Sequence, residues 1–258
     1  MLNFDIDSNQ YQNTLPFPYA KFDGVLNEEM AKQIQAEILS VDESAWDRYD
    51  NPFEQKYTLR DKYNFPPRLR DLFSYLESDE VIKKLSDICG YTLYRDETRN
   101  FWGVHKYKSG DRLDIHADAG IHPTMKKKKQ VTLGLYLSNQ WEPSYGCELE
   151  IWKGDNSGLN HAKLHEKVDA IVPLFNRLVL FTCNDYAWHG NPEPAECPPQ
   201  AKRIFLTMSY MSDNMEDMNK RMKAFFIARP QDPSDPEKDR LRLLRADPEK
   251  YKEVYRVP

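Results

Sequence analysis

The 258-residue sequence predicts an α+β chain with a mainly β core, a sandwich or barrel of jelly-roll type, supported by N-terminal helices and followed by a charged helical extension. Three observations predict this. Apolar and polar side chains alternate with a period of two in several runs between residues 101 and 211. Helical spacing of apolar residues marks the first hundred residues, and charge dominates the last 47, from Ser212. Residues 1–100 are therefore expected to be a support region of helices and short strands packed on the core. Residues 101–211 would form that core and 212–258 the extension, all within one folded unit.

The elements follow in order. Asn27 is placed to cap a helix running to about Leu39, because its side chain can accept from an amide that lacks an intrahelical partner; Met30, Ile34 and Ile38 then share one face. After Pro66 and Pro67, the residues Leu69, Leu72, Phe73 and Leu76 form a second stripe. Ser78 opens a third helix carrying Ile82, Leu85 and Ile88, and Gly90 ends it. In the core, Val104 and Lys106 alternate with His105 and Tyr107. Val131, Leu133, Leu135 and Leu137 alternate with Thr132, Gly134, Tyr136 and Ser138. Ile204, Leu206, Met208 and Tyr210 alternate with Arg203, Phe205, Thr207 and Ser209. The face bearing Arg203, Thr207 and Ser209 is too polar for a dry core, so it meets either solvent or a ligand cavity. The extension reads as two helical pieces, 237–246 and 248–255, broken off near Pro230 and Pro233. The lysine run 126–129 reads as a solvated loop, with attraction of an anionic substrate as the lesser alternative.

Composition bounds the function. Hydrophobic residues at 40% and charged residues at 30% are ordinary for a soluble domain, and a net charge of −5 lacks the basic footprint of a nucleic-acid binder. No apolar run approaches the ~18 residues of a membrane span, and the N-terminus has no basic stretch followed by an apolar one. Cys89, Cys147, Cys183 and Cys197 are scattered without a CxxC pair, as expected for reduced cysteines in a cytoplasmic protein.

The chemistry centres on Asp114-Ile115-His116-Ala117-Asp118. Residues two apart in a strand point the same way, so His116 and Asp118 present an imidazole and a carboxylate on one face. His189 follows an apolar strand at 178–181. Two neutral imidazoles and one carboxylate hold Fe(II) on one side and leave three positions open for a bidentate co-substrate and O2. Taken singly, an HxD pair is a common chance occurrence and a histidine after a strand is usually structural. Arg203, fourteen residues after His189, adds a separate signal. A buried arginine needs an anion, and a dicarboxylate chelating iron at one end offers its far carboxylate for a forked contact; a surface position or an internal salt bridge is the alternative. Tyr107 and Tyr136 lie on the polar registers of their strands, where a phenol either donates to such a ligand or fills the core. His105 shares a face with Tyr107, and Leu149, Thr207 and Ser209 are further candidates to surround the site. His122 reads as a loop residue. His161 and His165, four apart, would share a helix face, but no carboxylate or cysteine frame accompanies them.

In this order the motifs resemble the Fe(II)/2-oxoglutarate-dependent dioxygenases, and within them the prolyl 4-hydroxylase-like branch. The resemblance runs over 101–211: Tyr107 and Gly110 before His116-x-Asp118, then VTLGLYLSN at 131–139, Gly146-Cys147-Glu148-Leu149, the stretch 173–181, His189, and Arg203 in the closing strand. The stretch 173–181 looks closest to the oxygen-sensing protein prolyl hydroxylases. The family often has a second glycine where this chain has Cys147.

The resemblance implies a double-stranded β-helix with iron at its open end, held by His116, Asp118 and His189, and 2-oxoglutarate anchored by Arg203 with Tyr136 or Tyr107. It implies hydroxylation of an organic substrate with release of succinate and CO2, foremost a prolyl residue in a protein or peptide. A carboxylate at Asp118 favours hydroxylation over halogenation. Two alternatives stand beside it: hydroxylation of a small metabolite, sugar or nucleotide-linked compound, and a non-catalytic, metal-containing jelly-roll binding module. An intact Arg203 argues against the latter, since a structural metal needs no carboxylate anchor.

Overall fold

Twelve strands form one curled antiparallel sheet, accompanied by five helices, in the computed structural model, which describes residues 1–59, 65–159, 161–215, 221, 223–247, 249–251 and 254. In chain order these are α1 (Ser8–Gln12), β1 (Tyr19–Asp23), α2 (Glu28–Ser40), β2 (Asp47–Asn51), β3 (Glu54–Leu59), α3 (Pro67–Leu76) and α4 (Asp79–Cys89). There follow β4 (Trp102–Tyr107), β5 (Arg112–Ala117), β6 (Lys128–Tyr136), β7 (Leu149–Gly154), β8 (Leu164–Ile171), β9 (Arg177–Thr182) and β10 (Trp188–Asn191). The chain then forms β11 (Arg203–Ser212), β12 (Phe225–Phe226) and α5 (Pro236–Ala246). The sheet runs β1-β9-β6-β11-β4-β3-β5-β10-β7-β8, with β2 pairing β3 and β12 pairing β5. Its curl brings β6 over the end of β5, so that Lys129 reaches Asp118.

The helices form where their capping chemistry is satisfied. Asn27 and Ser78 accept from the amides of Met30 and Val81, and Gly90 closes α4 at φ 75°. Ile34, Ile38, Leu72, Phe73 and Leu85 pack on Leu133, Leu135, Ile204, Leu206 and Met208 in one buried cluster. Each such side chain contributes about 1.5–3 kcal/mol of burial. This consumes the apolar face of β6 and β11 and leaves Thr132, Tyr136, Arg203, Phe205, Thr207 and Ser209 on the opposite face, around a cavity.

The structure corrects several sequence expectations. The N-terminal region contributes three strands to the main sheet besides its helices. The lysine run is a solvated loop only in its first half: Lys126 is exposed and Lys127 partly so, whereas Lys128 and Lys129 open β6 and are buried, the Lys129 ammonium meeting a carboxylate. His165 lies on β8, not on a helix, and its Nε2 is 2.8 Å from Asp155. In the extension 236–246 is helical as expected and residues 225–226 form a strand, while the expected piece 248–255 lies partly outside the described residues.

Candidate metal centre and active site

The antiparallel register of β5 and β10 sets His116 directly opposite His189, with ring centroids 4.5 Å apart. This register needs a close strand approach: a Cβ at Gly190 would stand 2.6 Å from the Asp114 carbonyl oxygen. His116 Nδ1 lies 3.0 Å from Asp114 O, and His189 Nδ1 lies 2.8 Å from Ala187 O. A carbonyl only accepts, so both Nδ1 atoms carry the proton and both Nε2 lone pairs are left for a metal. Asp118 Oδ1 is 3.6 Å from His116 Nε2, and Asp118 Oδ2 is 3.9 Å from His189 Nε2. The three donors lie within 4.8 Å of one another, and among the described residues they are the only such group of histidine, cysteine and acidic side chains.

The electrostatics suit a divalent ion. Burial and the neighbouring His116 push His189 down to about 4, so its imidazole is neutral at neutral pH. Burial alone would raise the Asp118 carboxyl, but Lys129 and the two histidines outweigh it and hold it well below the usual range. Lys129 Nζ sits 2.6 Å from Asp118 Oδ2.

Arg203 occupies the deep end of the cavity. It pairs with Tyr107 across β11 and β4, its guanidinium 4.5 Å from that ring, and Phe205 pairs with Tyr136 across β11 and β6. Its Nε donates to Cys147 O at 3.0 Å and its Nη2 to Tyr136 Oη at 3.3 Å. Nη1 finds no hydrogen-bond partner and no carboxylate pairs with Arg203 among the described residues. A buried guanidinium without an anion is costly, and a ligand carboxylate satisfies it. Burial pushes Tyr136 up to about 12 and raises Tyr107 as well, so both stay protonated and able to donate. Cys147, where the family resemblance leads one to expect glycine, adopts φ 54°, and that backbone aims its carbonyl at Arg203. Gly134 is required opposite Phe205, whose ring a Cβ would overlap.

The cavity of about 460 Å³ joins both ends, and His116, Asp118, His189, Arg203, Tyr107 and Tyr136 all line it. So do His105, Leu149, Thr207 and Ser209. His122 sits in a loop but is fully buried; Thr124 N and Met125 N donate to its Nδ1, leaving Nε2–H for Asp96 at 2.9 Å. That ring pins the loop after Asp118. Sequence reasoning missed Lys129, Glu54, Lys56, Lys223, Phe226 and Arg245, all of which line the cavity. Glu54 and Lys56, two apart, carried the same alternation signal as His116 and Asp118. The C-terminal residues carried none.

Fold and donor set together fit a mononuclear centre of the two-histidine, one-carboxylate class on a jelly-roll core. A family model described as the 2OG-Fe(II) oxygenase superfamily matches residues 102–211, so this part of the chain is a 2OG-Fe(II) oxygenase domain, of the kind that uses Fe(II), 2-oxoglutarate and O2. This sets aside the non-catalytic binding module. Among solved structures, a prolyl-4-hydroxylase from Pseudomonas putida superposes with a TM-score of 0.56 at 17% identity, covering 80% of this chain and 99% of that one. A prolyl hydroxylase from Trichoplax adhaerens, in complex with a hypoxia inducible factor oxygen degradation domain peptide fragment, gives 0.57 at 18%, covering 80% and 89%. The carbocyclase SnoK from nogalamycin biosynthesis gives 0.54 at 12%, covering 92% and 95%. At these identities the likeness is one of fold. No curated protein shows a significant match to the sequence.

Proposed function

We propose that the chain hydroxylates a prolyl residue in a protein or peptide, with His116, Asp118 and His189 holding Fe(II) and Arg203 anchoring 2-oxoglutarate. The observation that carries the reading is the buried Arg203, its Nη1 without a partner, in the same cavity as the three donors. Bound together, Fe(II) and 2-oxoglutarate supply the oxidising chemistry: O2 is consumed, 2-oxoglutarate leaves as succinate and CO2, and a substrate C–H becomes C–OH. The chain's own residues prepare for it. His116 and His189 present Nε2 because backbone carbonyls hold their Nδ1 protons. Lys129 engages Asp118 Oδ2, which leaves Oδ1 for the ion. Tyr136 and Arg203 form a donor pair for the far carboxylate, and Leu149 and Phe181 add apolar surface to the cavity wall, Phe181 against His189 with ring centroids 4.5 Å apart.

The prolyl assignment draws on the motif resemblance and on the fold shared with prolyl hydroxylases. A small-molecule substrate is the second reading, favoured by one observation: Ala224, Phe226 and Arg245 of the C-terminal segment wall the cavity, as suits a confined ligand. The test begins with anaerobic addition of Fe(II) and then 2-oxoglutarate. A visible charge-transfer band is expected, and it should be lost in His189→Ala and Asp118→Ala; a band that survives both refutes the ligand assignment. Succinate release on proline-containing peptides, against none with small metabolites, then decides the substrate.

A further inference from the structure

We infer that Asn191 is a further contact for 2-oxoglutarate, and that Cys147 positions it together with Arg203 at the deep end of the cavity. The inference rests on the Fe(II)/2-oxoglutarate reading of the site and assigns two residues that this reading does not use.

Three cavity-lining side chains converge on Cys147. Its carbonyl accepts from Arg203 Nε at 3.0 Å, and its Sγ accepts from Asn191 Nδ2 at 3.2 Å. Tyr107 packs with it in the same small buried cluster. The thiol is fully buried and donates its one hydrogen to Asp111 O at 3.8 Å. Toward Asn191 it is therefore an acceptor, which the amide nitrogen must face. One residue thereby holds a guanidinium through its backbone and a carboxamide through its side chain.

Cys147 keeps this place against its backbone preference. Gly146 and Cys147 both have positive φ, 66° and 54°, in the turn before β7. Glycine takes that region freely, whereas a residue with a Cβ is strained there. Glycine, which the family resemblance leads one to expect, would remove the strain and still present the carbonyl to Arg203. What it lacks is the bond to Asn191. That bond is the gain a side chain at 147 brings.

Asn191 is placed to use it. It follows His189 by two residues on β10, and it is buried while lining the cavity. A buried carboxamide is costly unless its polar atoms are satisfied. Its nitrogen carries two hydrogens, and the thiol takes one. The other is left for a ligand, at the end of the cavity where Arg203 Nη1 also lacks a partner among the described residues. The far carboxylate of 2-oxoglutarate accepts from both. Because β10 also carries His189, Asn191 ties the co-substrate to the strand that builds the metal centre.

The test reads binding apart from turnover. Calorimetry gives the Kd for 2-oxoglutarate on the Mn(II)-loaded protein, and the Kd for Mn(II) without co-substrate. Asn191→Ala should raise the 2-oxoglutarate Kd about tenfold, the size expected of one hydrogen bond to a charged group. Cys147→Gly should raise it about five- to tenfold, although glycine suits the backbone there. Cys147→Ser, whose hydroxyl still accepts from Asn191, should stay within about twofold of wild type. Mn(II) affinity should stay within about twofold in all three. Unchanged 2-oxoglutarate binding in either Asn191→Ala or Cys147→Gly overturns the inference. So does an equal loss of Mn(II) affinity, which would mean that these residues act on His189 through β10. Arg203→Met is the control on the underlying reading. If it leaves the 2-oxoglutarate Kd unchanged, or if the wild type binds none, the co-substrate reading of the cavity is what fails.

Discussion

Lys129 Nζ lies 2.6 Å from Asp118 Oδ2, which makes a buried lysine of β6 the ion-pair partner of a carboxylate expected to bind iron. Without a divalent ion this lysine is the main compensation for the buried Asp118 charge. Removing one member of a buried pair typically costs about 3–5 kcal/mol. Lys129→Met should therefore lose that much stability in the metal-free protein, measured by urea unfolding. Saturating Mn(II) should recover much of the loss, because the ion takes over the compensation. An equal loss with and without metal would mean that Lys129 acts through packing alone.

Arg203 gives a prediction that separates co-substrate from metal. Arg203→Met removes the donors at 3.3 Å from Tyr136 and the partnerless Nη1 together. The Kd for 2-oxoglutarate should rise on the order of 30- to 1,000-fold, the equivalent of about 2–4 kcal/mol. Arg203→Lys should restore only part, since an ammonium lacks the planar fork. Mn(II) affinity in the absence of 2-oxoglutarate should stay within about twofold of wild type. Loss of metal affinity as well would show that Arg203 supports the centre itself.

Alternation with period two was enough to place His116 beside Asp118 and to put Arg203, Thr207 and Ser209 on one wall, because strand geometry alone fixes which side chains share a face. The helix limits at Asn27, Ser78 and Gly90 were legible for the same local reason, hydrogen-bond capping. Lys129 was not legible. A run of four lysines reads as solvated unless its partner is known, and Asp118 is brought to it only by the curl of the sheet. Phe226 was hidden for a related reason: a two-residue strand has no period, and β12 exists through its pairing with Ala117 and His116.

Gly190→Ala tests the strand register that builds the centre. Its Cβ would stand 2.6 Å from Asp114 O, a backbone atom fixed in β5, so β10 must move away. That displaces His189 from His116. Mn(II) affinity should fall by at least ~10-fold, while far-ultraviolet circular dichroism changes little. An unaltered metal affinity would show that the two strands tolerate the displacement.

Glu54 supplies a pH dependence away from the metal donors. Burial alone would raise its carboxyl, but Lys56 and Arg245 bring it down to about 2 from the ordinary 4.5. A depressed folded pKa means the unfolded chain binds the proton more readily. The contribution is thus fully present above pH 4.5 and is lost as the pH falls from there toward 2. Its size is on the order of 3 kcal/mol. Glu54→Gln should flatten the acid limb of the stability curve in that window, read from urea midpoints at successive pH values. A mutant curve parallel to wild type there would remove Glu54 as the source.

Asp114 links the C-terminal helix to the centre through one residue. Its Oδ2 meets Lys238 Nζ at 2.7 Å and Arg242 Nη2 at 3.5 Å, both on α5, while Arg112 bonds its Oδ1. Its own carbonyl holds the His116 Nδ1 proton at 3.0 Å. Neutralising the side chain loosens α5 and frees the strand segment that aims His116. Asp114→Asn should make the 227–247 segment more sensitive to limited proteolysis and weaken Mn(II) binding by roughly 10-fold. Lys238→Glu, which breaks the same contact from the other side, should reproduce both effects. If Lys238→Glu frees α5 to proteolysis but leaves metal binding intact, the helix covers the cavity without positioning the histidine.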